Sequence, residues 1–263
     1  MPTSDDLAAF SAELCQASSA AILPHFRAAL SVENKLAEGF DPVTVADRAG
    51  EEALRALIEA RYPEHGILGE EHGNVRLDAE HVWVLDPIDG TRAFICGLPT
   101  WGTLIGLTRG GKPVFGIMDQ PYVEERFVGD CDKAWLVSRS GTRPLSTRPC
   151  ADLSQAIMCT THPGLFQGAE GEVYRQIEGT VRTARYGTDC YGYAMIASGQ
   201  VDLVIETGLQ PYDIVALAPI IEGAGGVVTN WSGGSPANGG QIVAAGDPSL
   251  HAKALEILAR AAV

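Results

Sequence analysis

The chain has 263 residues, 46% of them hydrophobic, which suits one large domain or two joined halves around a substantial core. Acidic residues outnumber basic ones by 33 to 19, and the net charge of −14 argues against nucleic acid as a partner, because phosphate backbones attract clustered lysine and arginine. No apolar run approaches the ~18–20 residues of a membrane span, and no signal-peptide pattern opens the chain, so we expect a cytoplasmic protein without a membrane partner.

The acidic excess leaves two interpretations open. It fits a protein that binds metal cations or a cationic small molecule, and it fits a role in solubility alone. The six cysteines are scattered without a C-x-x-C pair, which argues against a disulfide framework or a zinc site.

The first half of the chain predicts two long helices followed by antiparallel strands. Apolar residues at helical spacing predict one helix over residues 4–30 and a second over residues 43–62, with a polar loop or hairpin between them. A short strand at 66–69 comes next, then a buried strand that ends at Asp86, then a hairpin that turns at Gly110-Gly111. Two further strands complete this meander.

After about residue 138, strands and helices alternate, which predicts an α/β arrangement. The elements predicted there are strands at 156–161, 181–187, 201–207 and 227–231, and helices at 168–178, 192–200, 212–226 and 248–262. We therefore divide the chain into an N-terminal α+β half, residues 1–138, and a C-terminal α/β half, residues 139–263. Residues 232–240 are expected to form a surface loop.

Carboxylates follow apolar runs at four places along the chain. They are Asp47, the pair Glu70-Glu71, the pair Asp86 and Asp89, and Asp213. Carboxylates gathered in one cleft repel each other and have raised pKa values unless cations compensate, and oxygen ligands without histidine or cysteine favour magnesium. A simpler alternative stays open for each of them, because Asp-Pro commonly begins a turn and Asp-Gly commonly makes one.

The Gly90-Thr91 pair that follows Asp89 favours a ligand site over a simple turn. Glycine lets the backbone approach a ligand closely, and a helix that starts there aims free N–H groups and its positive end at an anion. Metal-binding carboxylates beside such a helix start predict a phosphate site. The hydroxyl of Thr91 is suited to orient a water molecule.

Several separated motifs, in this order, resemble those of the inositol monophosphatase-like family of magnesium-dependent phosphatases. They are DPVTVAD at 41–47, GEE at 69–71, WVLDPIDGT at 83–91, YDIVA at 212–216 and EGAGG at 222–226. The resemblance covers nearly the whole chain and implies a layered αβαβα sandwich, usually dimeric. Three positions depart from the family pattern: Tyr212 replaces a tryptophan, Gly223 follows Glu222, and Arg92-Ala93 follow Thr91 at the site mouth.

The resemblance implies a role for each motif residue. The metal ligands would be the carboxylates of Glu70, Asp86, Asp89 and Asp213 and the carbonyl of Ile88, holding two or three Mg²⁺ ions. Gly90 and Thr91 resemble the phosphate cradle, and Thr91 with Asp47 resembles the pair that orients the attacking water. We therefore expect Asp47, Glu70 and Thr91 to be catalytic.

Two carboxylates of the second half, Asp189 and Glu206, align with family positions around the leaving alcohol. A neutral polyol has no positive charge to pair with two carboxylates, whereas a cationic alcohol makes charge-assisted hydrogen bonds with them. Histidinol phosphate carries an ammonium and an imidazole, and the surrounding sequence resembles the histidinol-phosphate phosphatases of this superfamily. We therefore expect a phosphorylated amino alcohol as the substrate and a place in histidine biosynthesis.

Alternatives stay open for the substrate and for single residues. An inositol phosphate or a broader set of sugar phosphates is the second candidate, and a binding protein without catalysis is the third. Asp189 is alternatively the N-cap of the helix that follows it. Arg185 is a candidate for substrate contact, for bracing Asp189, or for a homodimer interface. The residues expected to contact substrate are Asp89, Gly90, Thr91, Arg185, Asp189, Glu206 and Asp213.

Overall fold

Two larger β-sheets and three layers of helices form most of the part of the chain that the computed structural model describes, residues 4–28, 32–34 and 42–263. The helices are α1 (Ser4–Ile22), α2 (Val45–Arg61), α3 (Thr91–Ile95), α4 (Gly168–Glu178), α5 (Asp189–Ala197), α6 (Pro211–Ile214), α7 (Leu217–Gly223) and α8 (Pro248–Leu258). The strands are β1 (Val32–Asn34), β2 (Pro42–Thr44), β3 (Gly66–Gly69), β4 (His81–Asp89), β5 (Gly102–Arg109), β6 (Lys112–Gln120), β7 (Glu125–Gly129), β8 (Ala134–Ser138), β9 (Gly141–Pro144), β10 (Ile157–Thr160), β11 (Thr183–Tyr186), β12 (Leu203–Leu209), β13 (Val227–Asn230) and β14 (Gly240–Ala245).

The first sheet has seven strands in the order β3-β4-β5-β6-β7-β8-β9. Strand β3 runs parallel to β4, and every following pair is antiparallel. The predicted hairpin is present between β5 and β6. Its turn residues Gly110 and Gly111 have φ angles of 55° and 76°, the left-handed values that a tight two-residue hairpin requires.

The second sheet has five strands in the order β11-β10-β12-β14-β13. Strands β11, β10 and β12 are parallel, as the alternation of strands and helices predicts, whereas β14 runs antiparallel to both of its neighbours. Strand β14 is not predicted from the sequence, because its short apolar run follows a glycine-rich loop and shows no period of two.

Three apolar clusters hold the layers together. Helices α1 and α2 cover one face of the first sheet, where Phe10, Leu54 and Trp83 are buried. Helices α5 and α7 lie between the two sheets, and α4 and α8 cover the outer face of the second sheet. Burial of these apolar faces is the dominant favourable term in folding. The arrangement confirms the predicted αβαβα sandwich.

Prolines explain two differences from the predicted helices. The first helix ends at Ile22 and continues as a 3₁₀ turn over Leu23–His25, because Pro24 has no N–H to donate. The predicted helix over residues 212–226 is divided into α6 and α7, since Pro219 cannot donate to the carbonyl of Val215.

Other predictions near the first helices are met in part. Strands β1 and β2 pair antiparallel, as a hairpin would, and β2 includes residues 43 and 44, which were predicted as the start of the second helix. Residues 29 and 30 of the predicted first helix, and residues 31 and 35–41 of the predicted loop or hairpin, lie outside the described residues. Strand β9 continues the first sheet to Pro144, beyond residue 138. The division of the chain into two halves at that residue stays a prediction. In the described ranges, no helix combines the length and the apolar character needed to cross a bilayer.

Candidate active site

The end of β4 carries three of the predicted metal ligands, Asp86, Ile88 and Asp89. A bulge interrupts the pairing of β4 with β5 between Asp86 and Asp89. The buried carboxylate of Asp86 accepts a hydrogen bond from the N–H of Ile88 at 2.9 Å, so Asp86 does form the turn that Asp-Pro suggests. The bulge re-aims the following residues, which is how bulges next to functional sites commonly act.

Three predicted ligands meet in one cluster. Carboxylate oxygens of Asp86, Asp89 and Asp213 all lie within 4.8 Å of one another. The N–H of Gln210 fixes Asp213 at the start of α6, at 2.6 Å, and the N–H of Cys190 fixes Asp89 at 2.6 Å. The cluster therefore draws on β4 of the first sheet and on α6, and the first turn of α5 supports it.

Burial and mutual repulsion make this cluster unfavourable without a cation. Burial raises the pKa of Asp86 well above its usual range, and the charges of Glu70, Asp89 and Asp213 raise it further. Burial also raises the pKa of Asp89, with added contributions from Asp189 and Asp213. A divalent cation would relieve both effects, and a donor set made only of oxygens suits magnesium. The residues present therefore fit the metal that the family resemblance implies.

The backbone that follows Glu70 is held by a carboxylate that the sequence analysis missed. Glu51 of α2 is fully buried and accepts from the N–H of Glu71 at 2.7 Å and from the N–H of His72 at 3.2 Å. Its charge is balanced by Arg55, whose Nε lies 2.6 Å from the carboxylate. On the sequence alone, an i,i+4 pair of glutamate and arginine is indistinguishable from an ordinary surface pair.

Asp47 lies at the start of α2 in a capping box. One of its oxygens accepts from the N–H and the hydroxyl of Thr44, at 2.7 and 2.6 Å, while the other is buried without a hydrogen-bond partner among the described residues. Burial raises the pKa of Asp47 to about 6, the Thr44 bonds oppose the shift, and the charge of Glu70 adds to it. The hydroxyl of Thr91 donates to the carbonyl of Ile88 at 3.1 Å. The pairing of Thr91 with Asp47 on a water molecule stays a prediction.

Asp189 packs against the predicted phosphate cradle. Gly90 has a left-handed backbone (φ 81°), and a Cβ built on it would lie 3.0 Å from the Cβ and Cγ of Asp189. Asp189 itself has a φ of 45°, which is uncommon for a residue with a side chain. It opens α5, but Thr188 holds the N-cap position, so the alternative of Asp189 as N-cap is not met.

A cleft of about 450 Å³ joins the cluster to the second half of the chain. Its lining includes Asp89, Gly90, Thr91, Asp189, Glu206 and Asp213. Arg92 lines it too, and its charge opposes the burial that raises the pKa of Asp189 to about 6. The cleft thus brings together the predicted phosphate and leaving-group residues.

Glu206 is the most deeply buried acid of this cleft outside the metal cluster. One of its oxygens accepts from the N–H of Thr161 at 2.5 Å, and the other is buried without a well-formed hydrogen bond in the described chain, although the hydroxyl of Thr160 lies near the carboxylate. Burial raises the pKa of Glu206 to about 8, and the interactions with Thr161 and Thr160 oppose the shift.

Two residues stand apart from the prediction. Arg185 is exposed on β11, the edge strand of the second sheet, and is not among the residues that line the cleft. Glu170 of α4 does line the cleft, although the sequence analysis did not select it. A glutamate in the first turn of a helix is common for reasons of helix stability alone, so its sequence context carries no sign of a site.

Comparisons with known proteins agree with this geometry. A model described as the inositol monophosphatase family matches residues 3–262. The chain is 43% identical over 265 residues to the chloroplastic bifunctional phosphatase IMPL2 of Arabidopsis thaliana, covering 97% of this chain and 75% of that one. It is 33% identical over 206 residues to the histidinol-phosphatase of Mycobacterium tuberculosis, covering 77% and 79%. An inositol monophosphatase structure from Zymomonas mobilis matches with a TM-score of 0.86 at 40% identity, covering 97% and 98%. These matches confirm the resemblance that the motifs predict.

Proposed function

Since this chain belongs to the inositol monophosphatase family and is a phosphatase of that kind, we propose that it hydrolyses L-histidinol phosphate to L-histidinol and phosphate in histidine biosynthesis. The observation that supports this substrate is Glu206, whose second carboxylate oxygen is buried without a well-formed hydrogen bond in the cleft that Asp89 and Thr91 also line. A buried acceptor of this kind favours a ligand that brings a donor to it, and a cationic N–H donor makes a stronger bond to a carboxylate than a hydroxyl does.

The charge of the cleft supports an amino alcohol over a polyol. Asp189 and Glu206 both line the cleft, with Arg92 as the cation beside Asp189. A neutral leaving group brings no positive charge to offset the free-energy cost of burying a charged Glu206. An ammonium or imidazolium lowers the pKa of a neighbouring carboxyl and makes a charge-assisted hydrogen bond with it.

The chain supplies residues for each part of the hydrolysis. Glu70, Asp86, Asp89, Asp213 and the Ile88 carbonyl would hold magnesium, which when bound lowers the pKa of water and stabilises charge on the leaving oxygen. We assign Thr91 and Asp47 to the orientation of the attacking water. The open oxygen of Asp47 and its pKa of about 6 suit a residue that accepts a proton near neutral pH. Gly90 leaves its backbone open to the phosphate.

The number of metal ions, the oligomeric state and the cellular location are also part of the proposal. We propose two or three Mg²⁺ ions per site and a cytoplasmic homodimer. Calorimetric titration of the metal-free protein with Mg²⁺ measures the first, and light scattering with cell fractionation measures the second.

The substrate is tested by phosphate release from L-histidinol phosphate and from myo-inositol 1-phosphate, with and without Mg²⁺. We expect kcat/KM for histidinol phosphate to exceed that for the inositol compound at least about tenfold, a difference of about 1.4 kcal/mol. Equal or better turnover of the inositol compound would support the second candidate, which the likeness to the Zymomonas mobilis protein favours. Absence of turnover with any phosphomonoester would support a binding role.

The role of Asp189 is tested by Asp189→Asn. Asparagine tolerates the φ of 45° at this position, so the backbone is retained while the charge is lost. We expect kcat/KM for histidinol phosphate to fall about tenfold while that for inositol 1-phosphate is nearly unchanged. A similar loss on both substrates would mean that Asp189 supports the site without selecting the substrate.

A further inference from the structure

Glu170 presents a fixed carboxylate to the cleft from the second half of the chain. Its Oε1 accepts from the hydroxyl of Thr207 at 3.0 Å and from the Nε2 of Gln241 at 2.6 Å. Both donors are neutral, and no lysine or arginine of the described residues forms an ion pair with Glu170. The carboxylate is therefore oriented without being neutralised.

Glu206 lines the same cleft from the other face of β12. Its neighbour Thr207, which donates to Glu170, points to the opposite face of the strand, because successive side chains of a strand alternate. Thr161, whose N–H donates to Glu206, also lines the cleft. The second oxygen of Glu206 is buried and lacks a well-formed hydrogen bond in the described chain. Leu165, also in the lining, offers an apolar surface beside the two acids.

The acids of the cleft lie at different distances from the expected phosphate position, as the two cationic groups of histidinol do from its ester. Asp189 touches Gly90 and therefore lies beside the position expected for the phosphate. Glu206 and Glu170 line the same cleft from the two faces of the end of β12. In histidinol phosphate the ammonium is on the carbon next to the ester, and the imidazole is attached one carbon further away.

We propose that Glu170 and Glu206 form a subsite for the imidazole ring of the leaving group, in which Glu170 is a specificity-determining residue. This inference rests on the proposed function, and it assigns the ammonium to Asp189. A ring N–H donates to the open oxygen of Glu206, the second ring nitrogen faces Glu170 as a donor when protonated, and Leu165 covers a face of the ring. A flat heterocycle with two N–H groups at opposite edges suits two carboxylates better than a hydroxyl does.

The test compares Glu170→Gln with Glu172→Gln, a matched change at an exposed position of the same helix. The glutamine carbonyl still accepts from Thr207 and Gln241, so the fold is retained while the charge is lost. The substrates are L-histidinol phosphate, the phosphate of 2-aminopropan-1-ol, which has the ammonium but no imidazole, and myo-inositol 1-phosphate.

We expect E170Q to lower kcat/KM for histidinol phosphate about tenfold, mainly through KM, and to leave the other two substrates within about twofold. E172Q should leave all three unchanged. An equal loss on all three substrates, or no change with histidinol phosphate, would overturn the subsite. Wild-type preference for inositol phosphate would instead overturn the proposed function, so the two failures are distinguishable.

Discussion

At the scale of single residues, the buried acid Glu206 makes the stability of the protein depend on pH. Its pKa is about 8 in the folded protein, above the 4.5 of an exposed glutamate, because burial disfavours its charged form. Between these two values the folded state retains a proton that the unfolded state has lost. Stability therefore falls as pH rises from 4.5 to 8.

Glu206→Gln removes this dependence, since glutamine is neutral throughout. We expect the variant to match the wild type in free energy of unfolding near pH 5 and to exceed it at pH 8.5, by on the order of 1.4 kcal/mol for each pKa unit of the shift. Urea unfolding at both pH values, with Glu172→Gln as control, measures the difference. A variant that is less stable than the wild type at pH 8.5 would contradict the raised pKa of Glu206.

At the scale of elements, α2 holds the backbone around Glu70, one of the proposed metal ligands. Glu51 accepts from the backbone of residues 71 and 72, and a Cβ on Gly69 would lie only 2.1 Å from its carboxylate. Glu51 thus packs closely against Gly69 before Glu70 and accepts from the two residues after it. Because the carboxylate of Glu51 is buried and paired with Arg55, loss of its charge leaves a buried cation and a weakened loop.

Glu51→Gln should therefore reduce stability by about 2–3 kcal/mol and weaken Mg²⁺ binding several-fold. Its control is Glu52→Gln, the exposed neighbour on the same helix. Calorimetric Mg²⁺ titration and thermal unfolding give the two readouts. Unchanged Mg²⁺ affinity in a destabilised E51Q variant would show that Glu51 supports only the fold.

The elements also show what sequence reasoning can and cannot reach. Strands and helices with clear periodicity, and the carboxylates of contiguous motifs such as Asp86 and Asp89, were predicted because their information is local. The contacts of Glu51 and Glu170 were not, since each looks like an ordinary helical glutamate until the chain is folded. The division of α6 from α7 follows from Pro219, a local signal that apolar periodicity outweighed.

At the scale of the whole molecule, three glycines set the spacing between layers. Gly106, Gly116 and Gly129 are register partners on β5, β6 and β7, and together they form a groove in the first sheet. Backbone atoms of Ala216 and Ile220, around α7, occupy this groove. A Cβ on Gly116 would lie 1.8 Å from the carbonyl oxygen of Ala216, only three residues after Asp213.

Gly116→Ala should therefore displace the segment that carries Asp213. We expect a loss of about 3 kcal/mol in unfolding free energy together with weaker Mg²⁺ binding. Gly73→Ala is the control, because nothing lies within 4 Å of a Cβ there and no positive φ is involved. Wild-type Mg²⁺ affinity in the G116A variant would mean that the groove and the acidic cluster are independent.

The glycine groove has a consequence for how this protein tolerates change. At Gly116 and Gly129 main chain meets main chain, so no flexible side chain is available there to absorb a small error in the separation of sheet and helix. Exchange of one large aliphatic residue for another elsewhere in the interior should leave the distance between Asp86 and Asp213 intact. One methyl group added along the groove pushes the helix away from the sheet and so changes the distance between Asp86 and Asp213 directly.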